Sequence, residues 1–203
     1  MRVISGTARG MKINTLDNNT VRPTTDKVKE AVFSMIRFEL EGREFLDLFA
    51  GSGQMSIEAL SGGAKWATAI DSNREAIRIT KENLHKCRFD NKATVIFTSA
   101  KLFLEKCNSK YDIAYLDPPY LSDDMDEILT KVPHVIKNTG LIICETQTDK
   151  SMPNIIEDFI IDRQRRYGKI LITIYRHKDV IKWKKKLYMR ALSTQLQLGT
   201  WVL

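Results

Sequence analysis

The apolar positions of this chain arrive in short unbroken runs, with stretches of helical periodicity between them. Phe45-Leu46-Asp47-Leu48-Phe49, Trp66-Ala67-Thr68-Ala69-Ile70 and Ala93-Thr94-Val95-Ile96-Phe97 read as buried strands. So do the run from Tyr111 to Leu116 and Leu141-Ile142-Ile143-Cys144-Glu145. Val28, Ala31, Val32, Met35 and Ile36 recur at helical spacing, which places Lys27, Lys29, Glu30 and Arg37 mostly on the solvent side. Further helices are expected from about Gln54 to Leu60, Arg74 to Lys86, Leu102 to Lys106 and Asp124 to Val132. Phe159 to Arg166 and Lys169 to Tyr175 form a closing antiparallel pair around Tyr167-Gly168. This alternation predicts an α/β fold: a seven-stranded, mostly parallel sheet with an antiparallel last strand and helices on both faces. Ahead of it, residues 1–16 read as two short strands turning at Thr7-Ala8-Arg9-Gly10, a β-hairpin inside an N-terminal extension of residues 1–20.

Composition narrows the class. A chain of 203 residues, 43% hydrophobic, suits one α/β domain over 21–177. No apolar run reaches the length of a membrane span, and the start has no signal-peptide core, so a cytoplasmic, membrane-free protein is expected. Cys87, Cys107 and Cys144 have no CxxC spacing, and His85, His134 and His177 are dispersed; neither set suggests a metal site. The net charge is +7. Residues 178–203 hold five Lys and one Arg against one Asp, a net of +5, which leaves +2 for the rest. The charge points to a polyanionic partner. The tail permits a basic amphipathic helix from about Val180 to Gln195.

Two turns carry the chemistry. Asp117-Pro118-Pro119-Tyr120 ends the strand that precedes it, because neither proline can donate to a sheet ladder. Ligands of open α/β sheets bind outside such strand ends. Asp117 and the Pro118 carbonyl suit the two hydrogens of a base's exocyclic amine, and Tyr120 suits its flat face. The plain alternative is a proline turn with a capping Asp and a packed Tyr. The second turn is Gly51-Ser52-Gly53. It fails the dinucleotide fingerprint at Ser56 and has no P-loop lysine, so it fits a nucleoside ligand without a pyrophosphate. Asp71 lies about 20 residues on, where such folds place a carboxylate on ribose hydroxyls; helix capping is its alternative role. Arg2, Arg9 and Lys12 on the hairpin form either a phosphate clamp or an ordinary solvated face.

With these residues laid out, the chain resembles class I S-adenosylmethionine-dependent methyltransferases. Within them it is similar to the bacterial family that methylates the exocyclic N2 of guanine 966 in 16S rRNA. Met1-Arg2-Val3-Ile4-Ser5-Gly6, the block from Arg22-Pro23-Thr24-Thr25-Asp26 to Phe33, and Leu46-Asp47-Leu48-Phe49-Ala50-Gly51-Ser52-Gly53 carry the likeness. Ile57-Glu58-Ala59-Leu60, Asp117-Pro118-Pro119-Tyr120 and Arg166-Tyr167-Gly168 extend it, over about residues 1–176. The resemblance implies a Rossmann-like sheet. It also implies S-adenosylmethionine held by Asp47, Phe49, Gly51, Gly53, Asp71, Ser72, Ser99 and Ala100, and catalysis by Asp117, Pro118 and Tyr120. Arg2, Arg9, Lys12, Arg22 and Thr24 would face the RNA, which is 16S rRNA or a small-subunit assembly intermediate met by a monomer. Where the family usually carries an acid for the cofactor's adenine amine, this chain has Ser99. The tail from Lys178 has no counterpart in the resemblance. The Asp-Pro-Pro-Tyr block is shared with adenine-N6 enzymes. Two alternatives therefore stand: an adenine-N6 methyltransferase, and a ribosome-assembly RNA-binding protein that has lost catalysis.

Overall fold

The computed structural model describes residues 1–16, 26–118, 125–184, 186 and 187. Its strands in chain order are β1 (Glu44–Asp47), β2 (Trp66–Asp71), β3 (Ala93–Phe97) and β4 (Tyr111–Leu116), then β5 (Ile136–Gln147), β6 (Ile155–Ile156), β7 (Phe159–Tyr167) and β8 (Ile170–His177). They form one sheet in the order β3-β2-β1-β4-β5-β8-β7-β6. β1 to β5 run parallel; β8 is antiparallel to β5 and to β7. The seven expected strands are present. The eighth is β6, a two-residue stub on the edge of β7 that is too short to show a period of its own. β5 begins five residues earlier than its apolar run, because polar Lys137, Asn138 and Thr139 hide its first half from periodicity.

Helices α1 (Asp26–Ile36), α2 (Gln54–Ser61), α3 (Arg74–Lys86), α4 (Ala100–Lys106) and α5 (Met125–Lys131) lie between the strands. α1, α2 and α3 bury Val32, Ile57 and Leu84 in one core with Phe45, Ile113 and Ile143 of the sheet. α4 and α5 bury Leu104 and Ile128 on the other face, with Leu46, Ala114 and Ile142. Both faces of the central strands β1 and β4 are thus covered, as a parallel sheet requires.

The N-terminal extension is reduced from two strands to one antiparallel bridge, Arg2 with Lys12, flanked by Val3 N–H to Met11 C=O (2.9 Å) and Ile13 N–H to Met1 C=O (3.0 Å). Other backbone groups of the arm bond the body. Ile4 N–H donates to Glu58 Oε1 (2.8 Å), Ala8 N–H to Ser61 Oγ (2.9 Å) and Thr7 N–H to the Ser61 carbonyl (2.9 Å). A segment that bonds helix side chains cannot also extend a ladder. Lys29 corrects the helical reading: it is fully buried on α1 rather than solvated. Its ammonium donates to the Arg2 carbonyl (3.0 Å) and pairs with Asp26 (3.0 Å) and Glu58 (3.7 Å). Burial raises the Glu58 carboxyl above its ordinary range, and the Ile4 N–H and Lys29 oppose that shift.

After β8 the chain is helical over 178–184 and again at 186 and 187. This is the start of the expected tail helix; the rest of the expected span lies outside the described residues. Lys178 pairs with Asp158 at 2.6 Å, and Trp183 and Leu187 are exposed. No described helix is long and apolar enough to cross a membrane.

Candidate active site

The C-terminal ends of β1, β2, β3, β4 and β5 meet at one edge of the sheet. Asp47 closes β1, Asp71 closes β2, Ser99 follows β3, Asp117 follows β4 and Glu145 sits near the end of β5. The register aligns them: Asp47 pairs with Tyr115, and Leu116 with Cys144, one residue short of Asp117 and Glu145.

The glycine turn between β1 and α2 is held from three sides. Gly51 N–H donates to Asp71 Oδ2 (2.8 Å), Thr80 Oγ1 to the Gly51 carbonyl (2.9 Å) and Asn83 Nδ2 to the Ser52 carbonyl (2.8 Å). Gly51 and Gly53 both take positive φ, 54° and 75°. Their surroundings differ. A Cβ on Gly53 would lie 2.7 Å from Thr80 Cγ2, so this glycine lets α2 approach α3. A Cβ on Gly51 would meet nothing within 4 Å, so its side of the turn faces open space. Phe49, beside the turn, is half-buried and packs against the α4–α5 core.

Asp71 does not cap α3. Asn73 does, accepting from Glu75 N–H (2.8 Å) and Ala76 N–H (3.4 Å). Asp71 accepts Asn73 N–H on Oδ1 (2.8 Å) and Gly51 N–H on Oδ2, which orients its carboxylate at the strand end beside exposed Ser72. A carboxylate has about four lone-pair sites, so two such bonds leave room for hydroxyl donors. Ser99 is the N-cap of α4, where its Oγ accepts Leu102 N–H (3.2 Å), and Ala100 is buried behind it. That cap spends one acceptor site and leaves the hydroxyl proton.

Asp47 is buried. Its Oδ2 accepts from Ser56 N–H (3.2 Å) and Ser56 Oγ (2.9 Å). Its Oδ1 is among the described buried polar atoms that have no hydrogen-bond partner. Loss of hydration pushes the carboxyl up to about 7; the Ser56 bonds and the Phe49 N–H oppose the shift, and the Asp71 charge adds to it. A buried acceptor without a partner costs free energy, so this atom can take a donor that the described residues do not supply at hydrogen-bond geometry.

Asp117 and Pro118 are half-buried at the edge. Tyr115, directly beneath, is buried and donates its hydroxyl to Glu145 Oε2. Burial holds the Tyr115 hydroxyl well above its ordinary pKa, and the charges of Asp117, Glu145 and Asp47 add to the effect. The structure thus brings Asp47, Gly51, Gly53, Asp71, Ser72, Ser99, Ala100, Asp117 and Pro118 to one edge. Tyr120, Arg22 and Thr24 lie outside the described residues. Arg2, Arg9 and Lys12 are exposed on the N-terminal arm; Arg2 faces Asp26 at 3.6 Å. Asn83, Thr80 and Glu145 escaped the sequence reading. Asn83 and Thr80 share the buried stripe of α3 with Ala76, Ile77 and Leu84, and a polar residue on an apolar stripe is the signal that marks them.

Comparison with known proteins places this geometry. The family model described as conserved hypothetical protein 95 matches residues 1–176. The Bacillus subtilis protein YlbH is 34% identical over 183 residues, which cover 88% of this chain and 100% of that one. Ribosomal RNA small subunit methyltransferase D of Haemophilus influenzae is 32% identical over 184 residues, 87% of this chain and 94% of that one. The solved structure of the Escherichia coli protein yhhF superimposes with a TM-score of 0.79 at 28% identity, covering 87% of this chain and 97% of that one.

Proposed function

The chain belongs to the conserved hypothetical protein 95 family, and we propose that it methylates the exocyclic N2 of a guanine in 16S rRNA, with S-adenosylmethionine as the methyl donor. The observation that carries this reading is the shared edge: an oriented ribose-type carboxylate, an open glycine turn and the Asp117-Pro118 turn all lie at the C-terminal ends of adjacent parallel strands. The cofactor fits the residues present. Asp71 suits its ribose hydroxyls, the open side of Gly51 admits its body, and the unpartnered Oδ1 of Asp47 suits a cationic amino group. Ser99 retains a hydroxyl for the adenine end.

S-adenosylmethionine, when bound, supplies a methyl group on a sulfonium that needs no further activation. What remains for the protein is the nucleophile. Guanine N2 delocalises its lone pair into the ring. Asp117 and the Pro118 carbonyl accept the two amine hydrogens, return electron density to the nitrogen and fix its direction. Orientation supplies most of the acceleration. Tyr120 stacks on the extruded base and replaces its lost neighbours. No strong general base is needed, because the amine becomes acidic once alkylated. Arg2, Arg9, Lys12, Arg22 and Thr24 hold the RNA backbone, and the substrate is 16S rRNA or an assembling small subunit in the cytoplasm.

The experiment is mass spectrometry of 16S rRNA nucleosides with and without the protein. N2-methylguanosine should appear only with it, and Asp117→Ala should abolish the product while cofactor affinity stays within about 1–2 kcal/mol. Turnover retained by that variant would sink the role given to Asp117.

A further inference from the structure

Asp117 and the Pro118 carbonyl recognise an amine, and an amine is common to guanine and adenine. Something else at this edge must read the rest of the base. Glu145 lies one residue past the Leu116–Cys144 pair, so β5 sets it beside Asp117, the residue that follows β4. It shares a face with Tyr115: the Tyr115 hydroxyl donates to Glu145 Oε2, and Tyr115 and Ile143 belong to the same core. Two carboxylates therefore stand side by side on adjacent strands, about 5 Å apart at the backbone. Glu145 is only 5% exposed. Burying a carboxylate there is costly, and a Leu–Phe pair would fill the same space without that cost. The Tyr115 hydroxyl offsets part of that cost and fixes Oε2 at the strand end.

Guanine presents N1–H immediately beside its N2 amine, two donors in a row. Adenine presents N1 as a bare lone pair beside its N6 amine. From the placement of Glu145 beside Asp117, with Tyr115 fixing its rotamer, we infer that Glu145 accepts the N1–H of the target guanine and excludes adenine. This rests on the guanine-N2 reading above. Asp117 takes the amine, Glu145 takes the ring, and Tyr115 is a positioning residue that holds Glu145 from below. An adenine in the same pocket would aim its N1 lone pair at a buried carboxylate. Sites built on such a donor–acceptor match reject the mismatched base by about 10⁴–10⁵-fold.

2-Aminopurine separates the two roles, since it keeps the 2-amine but has an N1 lone pair in place of N1–H. Small-subunit particles are reconstituted with rRNA carrying guanine, 2-aminopurine or adenine at the target position, and single-turnover methylation is measured. The unaltered protein should methylate guanine at least about 100-fold faster than 2-aminopurine. Glu145→Gln should lose guanine activity and narrow that ratio at least tenfold, because its amide can turn an N–H toward N1. Tyr115→Phe should narrow the ratio in part while leaving S-adenosylmethionine affinity unchanged. Guanine and 2-aminopurine methylated at similar rates by the unaltered protein would overturn the inference and leave the guanine reading standing; this holds whether or not the variants fold. A variant ratio identical to that of the unaltered protein would also overturn it. Methylation of adenine alone would remove both.

Discussion

The arm at the start of the chain and the tail at its end are both basic, yet they stand in opposite relations to the fold. The arm is sewn down. Glu58, Ser61 and Lys29 take its backbone groups, and Asn83 holds both Asn14 (2.7 and 3.0 Å) and the carbonyl of Ser52 in the glycine turn. The tail helix is tied at its root by the exposed Lys178–Asp158 pair, and it presents Trp183, Lys182, Lys184 and Lys186 outward. The family match covers the arm and ends at residue 176. Positive charge alone does not say whether a segment is part of the structure; the burial of its partners does.

That contrast can be broken most severely at Lys29. Lys29→Met removes the cation from between Asp26 and Glu58 and leaves the Glu58 carboxylate buried without it. We expect a loss of about 3–5 kcal/mol in urea denaturation, part of it regained in Lys29→Met/Glu58→Gln. A loss below about 1 kcal/mol would mean that the arm is not held through this ammonium.

Next comes a titration. The folded chain keeps a proton on Asp47 up to about pH 7, whereas the unfolded chain releases it near pH 4. Between those values the folded state binds more protons, so this group's contribution to stability falls as pH rises and levels off above 7. The whole effect is up to about 4 kcal/mol without cofactor, and Asp47→Asn should remove it from the stability–pH curve. Deleting residues 178–203 should leave that slope untouched. A tail-dependent slope would show coupling between the two regions.

Asn83→Ala should cost about 1–3 kcal/mol and weaken S-adenosylmethionine binding, because the arm and the glycine turn lose their shared clamp. Isothermal calorimetry checks the second part; unchanged affinity would confine Asn83 to the arm. The smallest effect on stability belongs to the tail. Its deletion should leave the urea unfolding midpoint close to that of the full chain, since the exposed Lys178–Asp158 pair is screened by solvent. It should nonetheless weaken RNA binding and flatten the salt dependence. An unchanged salt slope would leave RNA contact to the arm.

Much of this was legible in the residues, for physical reasons. The parallel strands are nearly continuous apolar runs, so β1 to β4 and the apolar half of β5 stood out. Asp71, Gly51, Gly53 and Asp117 sit where strands stop, and stops are written in glycine and proline. Lys29 was misplaced because a charge flanked by Lys27 and Glu30 reads as solvated. Its column, Lys29-Phe33-Ile36, is nonetheless buried throughout. Glu145 passed as the end of a strand, since nothing local reveals that Tyr115 lies against it. The arm's partners were hidden by distance, with Glu58 and Asn83 standing 54 and 69 positions from Ile4 and Asn14.

Those separations also order events during synthesis. The arm leaves the ribosome well before α2 and α3, the only surfaces among the described residues that accept its backbone at Ile4, Ala8 and Asn14. Contacts of such long span form late, after the loop between them has been closed. A nascent chain arrested short of Glu58 therefore carries an arm without its α2 and α3 partners, the amides of Ile4, Ala8 and Asn14 open to exchange. The segment made early is completed late, and the glycine turn acquires its final clamp at the same moment.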